Sequence, residues 1–390
     1  MRILAPLLLS LTLGSTAVAQ QCGGDFSSFV QGLRAEAAER GHSQDNIDAF
    51  FRHASYSQRA IDADRRQGIF TVPFTDFARR LISQNRMDNG RRNAERQNAT
   101  FDAIEQRFGV SRGILLSFWA FETDYGAFQG DYNTLDALVT LAHDCRRPHI
   151  FRPQVFAALE MFEAGDFDPV NTLGAWAGEI GMVQMLPEDI IAHGVDGDGD
   201  GHVYLQTSAP DALMSGANLL SSLGWRPNEP WLVEVTVPSD LDWYQSGIHT
   251  TRSVSDWMAD GVQGRSGALP MQNAQASLIL PQGRNGPAFM AYPNFSVLFE
   301  WNQSFTYVLT AAYFATRLEG APVFDARSPE PGLDGNAMRQ LQQALAQRGH
   351  NVGEIDGILG AGTRAAVREE QRRLGMPADA WPTRALLNAL

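Results

Sequence analysis

Ile114-Leu115-Leu116-Ser117-Phe118-Trp119-Ala120-Phe121 runs directly into Glu122-Thr123-Asp124-Tyr125-Gly126. A helix that is apolar on every side belongs in a core, so this stretch predicts a buried helix at the centre of a large helical domain. Its last residue is a carboxyl. Such a surrounding disfavours the ionised form and lifts the pKa toward the range where the group donates a proton at neutral pH, as a general acid must. Taken alone, a Glu after an apolar run more often meets solvent or caps the next turn. The motifs around it decide the matter.

Amphipathic stretches flank it at Phe26 to Arg40, Phe74 to Leu81 and Asn93 to Phe108, so the fold is mainly α. Between Leu232 and Gln282 the texture changes. Val233, Val235 and Val237 alternate there as a strand would, which predicts a small β/loop-rich insert. Residues 321–333 carry Pro322, Pro329 and Pro331 among polar residues and read as a linker. Beyond them, Met338, Leu341 and Leu345 recur at helical spacing, followed by helical patterns over Ala365 to Leu374 and Thr383 to Leu390. Residues 334–390 thus form a separate three-helix C-terminal module.

The 390 residues are 44% hydrophobic and 19% charged, enough for a main core and a smaller module. A formal charge of -13 and a pI near 5.1 argue against nucleic acid, whose phosphates demand a basic footprint. An uncharged polymer or small solute is the better partner. Met1-Arg2, the apolar run Ile3 to Leu13 and Ala17-Val18-Ala19 have the parts of a secretory signal peptide over residues 1–19. That run is too short to span a bilayer, and no later segment offers a transmembrane span. Export places Cys22 and Cys145, the only cysteines, in an oxidising compartment where they are expected to pair. Ala19-Gln20-Gln21 lacks the Leu-x-small pattern that lipidation of Cys22 would need.

Glu122-Thr123-Asp124-Tyr125-Gly126 resembles the catalytic signature of the lytic murein transglycosylases of the membrane-bound B type, whose fold is related to goose-type lysozyme. The longer Gly174-Ala175-Trp176-Ala177-Gly178-Glu179-Ile180-Gly181-Met182-Val183-Gln184-Met185-Leu186-Pro187 resembles that family's second signature. Pro293-Asn294-Phe295, Trp301-Asn302-Gln303-Ser304 and Tyr307 resemble the third, in which aromatics and Asn line the glycan groove. Ala175, Met185, Trp301 and Leu219 depart from the pattern, and all four departures bear on how substrate is gripped. The resemblance spans the chain to about residue 320, so 20–320 is expected to be a lysozyme-like catalytic domain.

The resemblance implies that Glu122 protonates the glycosidic oxygen between N-acetylmuramic acid and N-acetylglucosamine in peptidoglycan. The same carboxylate then deprotonates the muramyl 6-hydroxyl, closing a 1,6-anhydro ring. Gln184, Tyr125, Gly181, Trp301, Asn302 and Tyr307 are the implied substrate contacts, and no cofactor is needed for the chemistry. A hydrolytic muramidase would need a second carboxylate, for which Asp124, Asp131 and Asp136 are the nearby candidates. A non-catalytic wall-binding protein is the third reading.

Asp196-Gly197-Asp198-Gly199-Asp200-Gly201-His202 is the opening half of a calcium loop, yet Thr207 stands where the last bidentate carboxylate belongs. Asp196, Asp198, Asp200, the His202 carbonyl and Asp211 are therefore the candidate ligands of a structural calcium. In the C-terminal module, Leu341-Gln342, Leu345, Asp356-Gly357, Gly360, Thr363 and Gln371 resemble the three-helix peptidoglycan-binding domain. These resemblances imply a periplasmic enzyme whose partner is the glycan strand.

Overall fold

The computed structural model describes residues 22–66 and 72–390, which contain seventeen α-helices and two antiparallel sheets. The proposed leader, 1–19, lies outside the described residues. No described helix is long and apolar enough to cross a membrane.

The helix Arg112–Thr123 sits in the middle of the main core, with every residue from Gly113 to Ala120 buried. Ser111 starts it by accepting the Gly113 N–H on its side chain. Its partner is Phe305–Leu318, equally apolar, and the two approach closely enough for Ser117 Oγ to donate to the Ala311 carbonyl at 2.8 Å. That bond satisfies the one hydroxyl in the buried run. The helix stops because Asp124 and Tyr125 take positive φ values of 51° and 61°, followed by Gly126 at 87°. Thr123 Oγ1 then donates to the Met182 carbonyl at 2.7 Å, tying this end to the Gly174–Pro187 loop.

Thr134–His143 and Pro148–Ala164 pack against each other in the same core, the former capped by Asn133, whose side chain accepts from Asp136 N–H at 2.9 Å. The predicted stretch Asn93 to Phe108 is two helices, Gln84–Arg96 and Asn98–Phe108, because Gln97 leaves the helical backbone. Cys22 and Cys145 are joined by a disulfide, and the Gly23 N–H donates to the His143 carbonyl beside it.

The insert is more regular than its Gly- and Ser-rich sequence suggests. Its five antiparallel strands lie in the order Arg252–Ser253, Gln275–Ile279, Ala288–Ala291, Leu232–Thr236, Gln263–Gly264. Trp257, Val254, Leu278 and Met290 give it a core of its own. The three C-terminal helices, Gly335–Gln347, Ala361–Arg373 and Arg384–Ala389, close over Met338, Leu341, Leu345, Val367 and Leu386.

This module is docked rather than hanging. Arg364 donates to the Pro281 carbonyl at 2.8 Å, and its guanidinium lies 4.5 Å over the Phe305 ring. Burial pushes its pKa down to about 10. Tyr244 on the insert donates to Glu369 at 2.6 Å, and the Arg284 N–H donates to Asp379 at 3.0 Å. The segment 321–333 has no helix or strand, and the Glu330 carbonyl accepts from Trp381 Nε1 at 2.9 Å.

Candidate active site

Glu122 reaches its position because the helix carrying it ends at the floor of a cavity of about 460 Å³. Glu122 Oε1 accepts from Tyr307 Oη and from Trp301 Nε1, the latter at 3.3 Å. Both donors come from the far end of the chain, on either side of the junction between Pro293–Trp301 and Phe305–Leu318. The Trp301 ring is fixed by stacking on Phe118 at 4.4 Å, which aligns its N–H with the carboxyl one turn further on. Asn302 lines the cavity, and its Oδ1 accepts the Ser304 N–H at 2.8 Å, which sets the turn between the two helices.

Burial pushes the Glu122 pKa up to about 7, against the opposing effect of the Tyr307 and Trp301 donors, which favour the carboxylate; Glu179 adds a further upward push. The group is therefore a neutral acid poised to become a base. Tyr307 is itself held well above the ordinary tyrosine range by burial and by the neighbouring Glu122 charge, so it remains a donor throughout. Replacing Tyr307 by Phe removes a bond that favours the carboxylate. The alkaline limb of the pH–rate profile should move up by roughly a unit, and the rate at neutral pH should fall roughly tenfold. A limb that stayed put or moved acidward would refute this.

Gln184 also lines the cavity, at a φ of 54° that non-glycine residues rarely adopt. Its amide donates to the Gly181 carbonyl at 2.8 Å and the Gln129 carbonyl at 3.3 Å, leaving its oxygen for a ligand's N–H or O–H. Ala175, Met185, Leu219 and Trp301, the four departures noted in the sequence, all line this cavity.

Three expected contacts do not line it; one of them, Tyr307, is buried and acts on the cavity only through its bond to Glu122. Tyr125 turns away, its hydroxyl donating to the Arg86 carbonyl at 2.8 Å and its ring edge-on to Trp119; burial raises its pKa. Gly181 supports the wall from behind, because at a φ of 81° it lies directly against Leu205. None of the candidate second carboxylates lines the cavity either. Asp124 is half-buried and pairs with Arg86 at 2.9 Å, Asp131 pairs with Arg59, and Asp136 accepts the Ser55 N–H. The acidic residues that do line it besides Glu122 are Glu179, Asp189 and Glu300. Sequence reading passed over them, although a Glu between Gly178 and Gly181 in a turn-rich loop was a signal.

In the acidic loop, carboxylate oxygens of Asp196, Asp198 and Asp211 lie within 4.8 Å of one another. Asp211 is buried and accepts from Gly197 and Tyr204 N–H, which aims it at the loop. Asp200 stands outside this group of side-chain oxygens. Asp200 accepts the His202 N–H, and the His202 ring pairs with Asp166 at 2.8 Å.

Comparison with known proteins matches the description "Transglycosylase SLT domain" to residues 25–316 and "Putative peptidoglycan binding domain" to residues 334–390. Membrane-bound lytic murein transglycosylase B of Escherichia coli (strain K12) is 28% identical over 236 residues, covering 60% of this chain; the chain spans 64% of that relative's length. Crystal structures of SltB3 from Pseudomonas aeruginosa superpose with a TM-score of 0.87 at 33% identity, over 94% of this chain and 99% of that one. They are described as complexes with NAG-anhNAM-pentapeptide and NAG-NAM-pentapeptide. The Escherichia coli transglycosylase Slt35, described in complex with calcium, shares the fold with a TM-score of 0.66 at 24% identity, over 78% of this chain and 97% of that one. With the family model running unbroken across the cavity and its acid, this chain belongs to the transglycosylase SLT domain family.

Proposed function

We propose that this chain is a peptidoglycan lytic transglycosylase that cleaves the MurNAc-GlcNAc β-1,4 bond without water, leaving 1,6-anhydromuramyl ends. The observation that carries the reading is a buried acid whose pKa is raised to about 7, held by two fixed donors in a cavity that Gln184 also lines. Glu122 gives its proton to the glycosidic oxygen as the C1–O bond breaks. The substrate's N-acetyl oxygen supports the positive centre, and the Glu122 carboxylate then takes the proton of the 6-hydroxyl as that oxygen bonds to C1. Tyr307 and Trp301 stabilise the carboxylate between the two steps. The anhydro-sugar held by SltB3 supports this outcome. Mass analysis of released muropeptides tests it: anhydro ends are expected, and free reducing ends would replace this reading with hydrolysis.

Residues 20–320 form the catalytic domain, 321–333 the linker and 334–390 a module that holds the enzyme on its polymer. The leader and the disulfide fit an exported, periplasmic protein.

Asp196, Asp198 and Asp211 suit a calcium ion, a hard cation that takes oxygen ligands from carboxylates. The calcium complex of Slt35 supports the reading. The ion would brace the loop that leads into Ala209–Ser222 and would take no part in bond cleavage. Calcium at a hundredfold excess over its Kd should stabilise the protein by about 2.7 kcal/mol. A thermal shift on adding EDTA, absent in Asp198→Ala, is the expected result. Identical melting with and without the chelator would exclude the site.

A further inference from the structure

Glu179 stands in the same cavity as Glu122, on the wall formed by the Gly174–Pro187 loop. Its Oε2 is enclosed by protein and has no hydrogen-bond partner among the described residues. A buried acceptor left without a donor is costly, and native structures rarely keep one that a ligand does not complete. Backbone N–H groups of Glu179 itself and of Ala177 face the carboxyl, and Arg147, just ahead of the helix Pro148–Ala164, lies near enough to favour its charge.

We propose that Glu179 is a second working carboxyl of this site, ionised while Glu122 holds the proton, whose free oxygen accepts the N–H of the substrate's acetamido group. The inference rests on the reading of Glu122 as the acid. As the glycosidic bond breaks, the acetamido oxygen shares its electron pair with C1, and positive charge spreads onto the amide nitrogen. An anion at that N–H stabilises the charge without taking the proton. The proton bookkeeping stays with Glu122, which donates in the first step and accepts from the 6-hydroxyl in the second.

Burial raises the pKa of Glu179, and the N–H groups and Arg147 oppose that rise. Glu179 in turn pushes Glu122 upward. Other charged or titratable groups facing the pair are Asp189 on Pro187–His193, Glu300 on Pro293–Trp301 and Tyr307 on Phe305–Leu318. Asp189 is raised by burial. Two carboxyls of this kind titrate in sequence, so removing the charge of Glu179, which ionises first, shows in Glu122.

The test is the pH–rate profile of Glu179→Gln and Glu179→Ala. Both variants should shift the alkaline limb to lower pH by about half a unit or more, because the repulsion that keeps Glu122 protonated is gone. At the optimum, kcat should fall at least roughly tenfold with KM changed by less than about threefold, since the contact strengthens as charge develops. An unmoved limb in either folded variant overturns the proposal. Carbon-13 NMR of labelled glutamate carboxyls reads the coupling without turnover. In Glu179→Gln the Glu122 titration should move down in pH, because the Glu179 charge that held it up is gone, and an unchanged titration also overturns the proposal. If Glu122→Gln stayed active while that shift was seen, the reading of the acid would fall and the coupled pair would stand.

Discussion

Glu122→Gln should reduce the release of soluble muropeptides by roughly a thousandfold or more. General acid catalysis alone contributes about 10² to 10⁴, and here one group serves two proton transfers. Gln keeps the size of the side chain and can still accept from Tyr307 and Trp301, so the cavity is preserved while the proton is lost. A residual rate above about a tenth of wild type would sink the assignment. The same variant gives a control on folding. In wild type the Glu122 pKa lies above the ordinary carboxylate value because burial disfavours the charge. Stability linked to this group is thus present at low pH and declines as pH rises through about 7. Gln does not ionise, so the variant lacks this decline: wild type should lose melting temperature relative to the variant between about pH 4.5 and 7, and above about 7 the two should run parallel. Lost activity in a protein that melts no earlier places the defect in the chemistry.

Gly181→Ala should destabilise the protein by about 2 to 5 kcal/mol, the sum of a left-handed conformation for an L-residue, about 1 to 2 kcal/mol, and an overpacked contact, about 1 to 3 kcal/mol. A Cβ there would lie 2.3 Å from Leu205 Cβ and 2.6 Å from its carbonyl oxygen, and the backbone oxygen has nowhere to move. Leu205 is held in turn by the bond from Met182 N–H to its carbonyl at 2.9 Å. Gln184 bonds Gly181 through both its backbone and its amide, so the displaced loop should also weaken substrate binding. The urea midpoint measures the first effect and KM the second. Gly41→Ala is the matching control, because its φ of 98° carries the conformational cost with open space around the new methyl. Equal losses in the two variants would show that crowding at Leu205 is not the cause.

What the sequence made legible follows from how each residue is constrained. The helix ending in Glu122 was readable because an all-apolar run has only one place to go. Gln184, Trp301 and Asn302 were readable by resemblance, and they line the cavity together. Tyr125 and Gly181 sit in the same motifs yet face away. A motif fixes the local chain path, whereas the direction of a side chain depends on elements such as Arg86 and Leu205 that lie elsewhere in the sequence. The insert's strands were hidden because Gln275–Ile279 and Ala288–Ala291 are buried on both faces and so lack alternation. Glu179 was hidden for a related reason: only the tertiary fold tells a solvated glutamate from one whose oxygen is sealed into a cavity.

The two donors of the Glu122 carboxyl lie 179 and 185 residues further along the chain. During synthesis the acid emerges long before them. At about 5 to 20 residues per second, tens of seconds separate the making of Glu122 from the making of Tyr307, and no early fragment can hold the full constellation. Nor would limited proteolysis that removed Phe305–Leu318 leave a crippled but functioning remnant, because the acid would lose its donors and its helix would lose its packing partner in one event. A chain with the proposed wall-cutting activity is thereby inert until the helix that carries Tyr307 is in place.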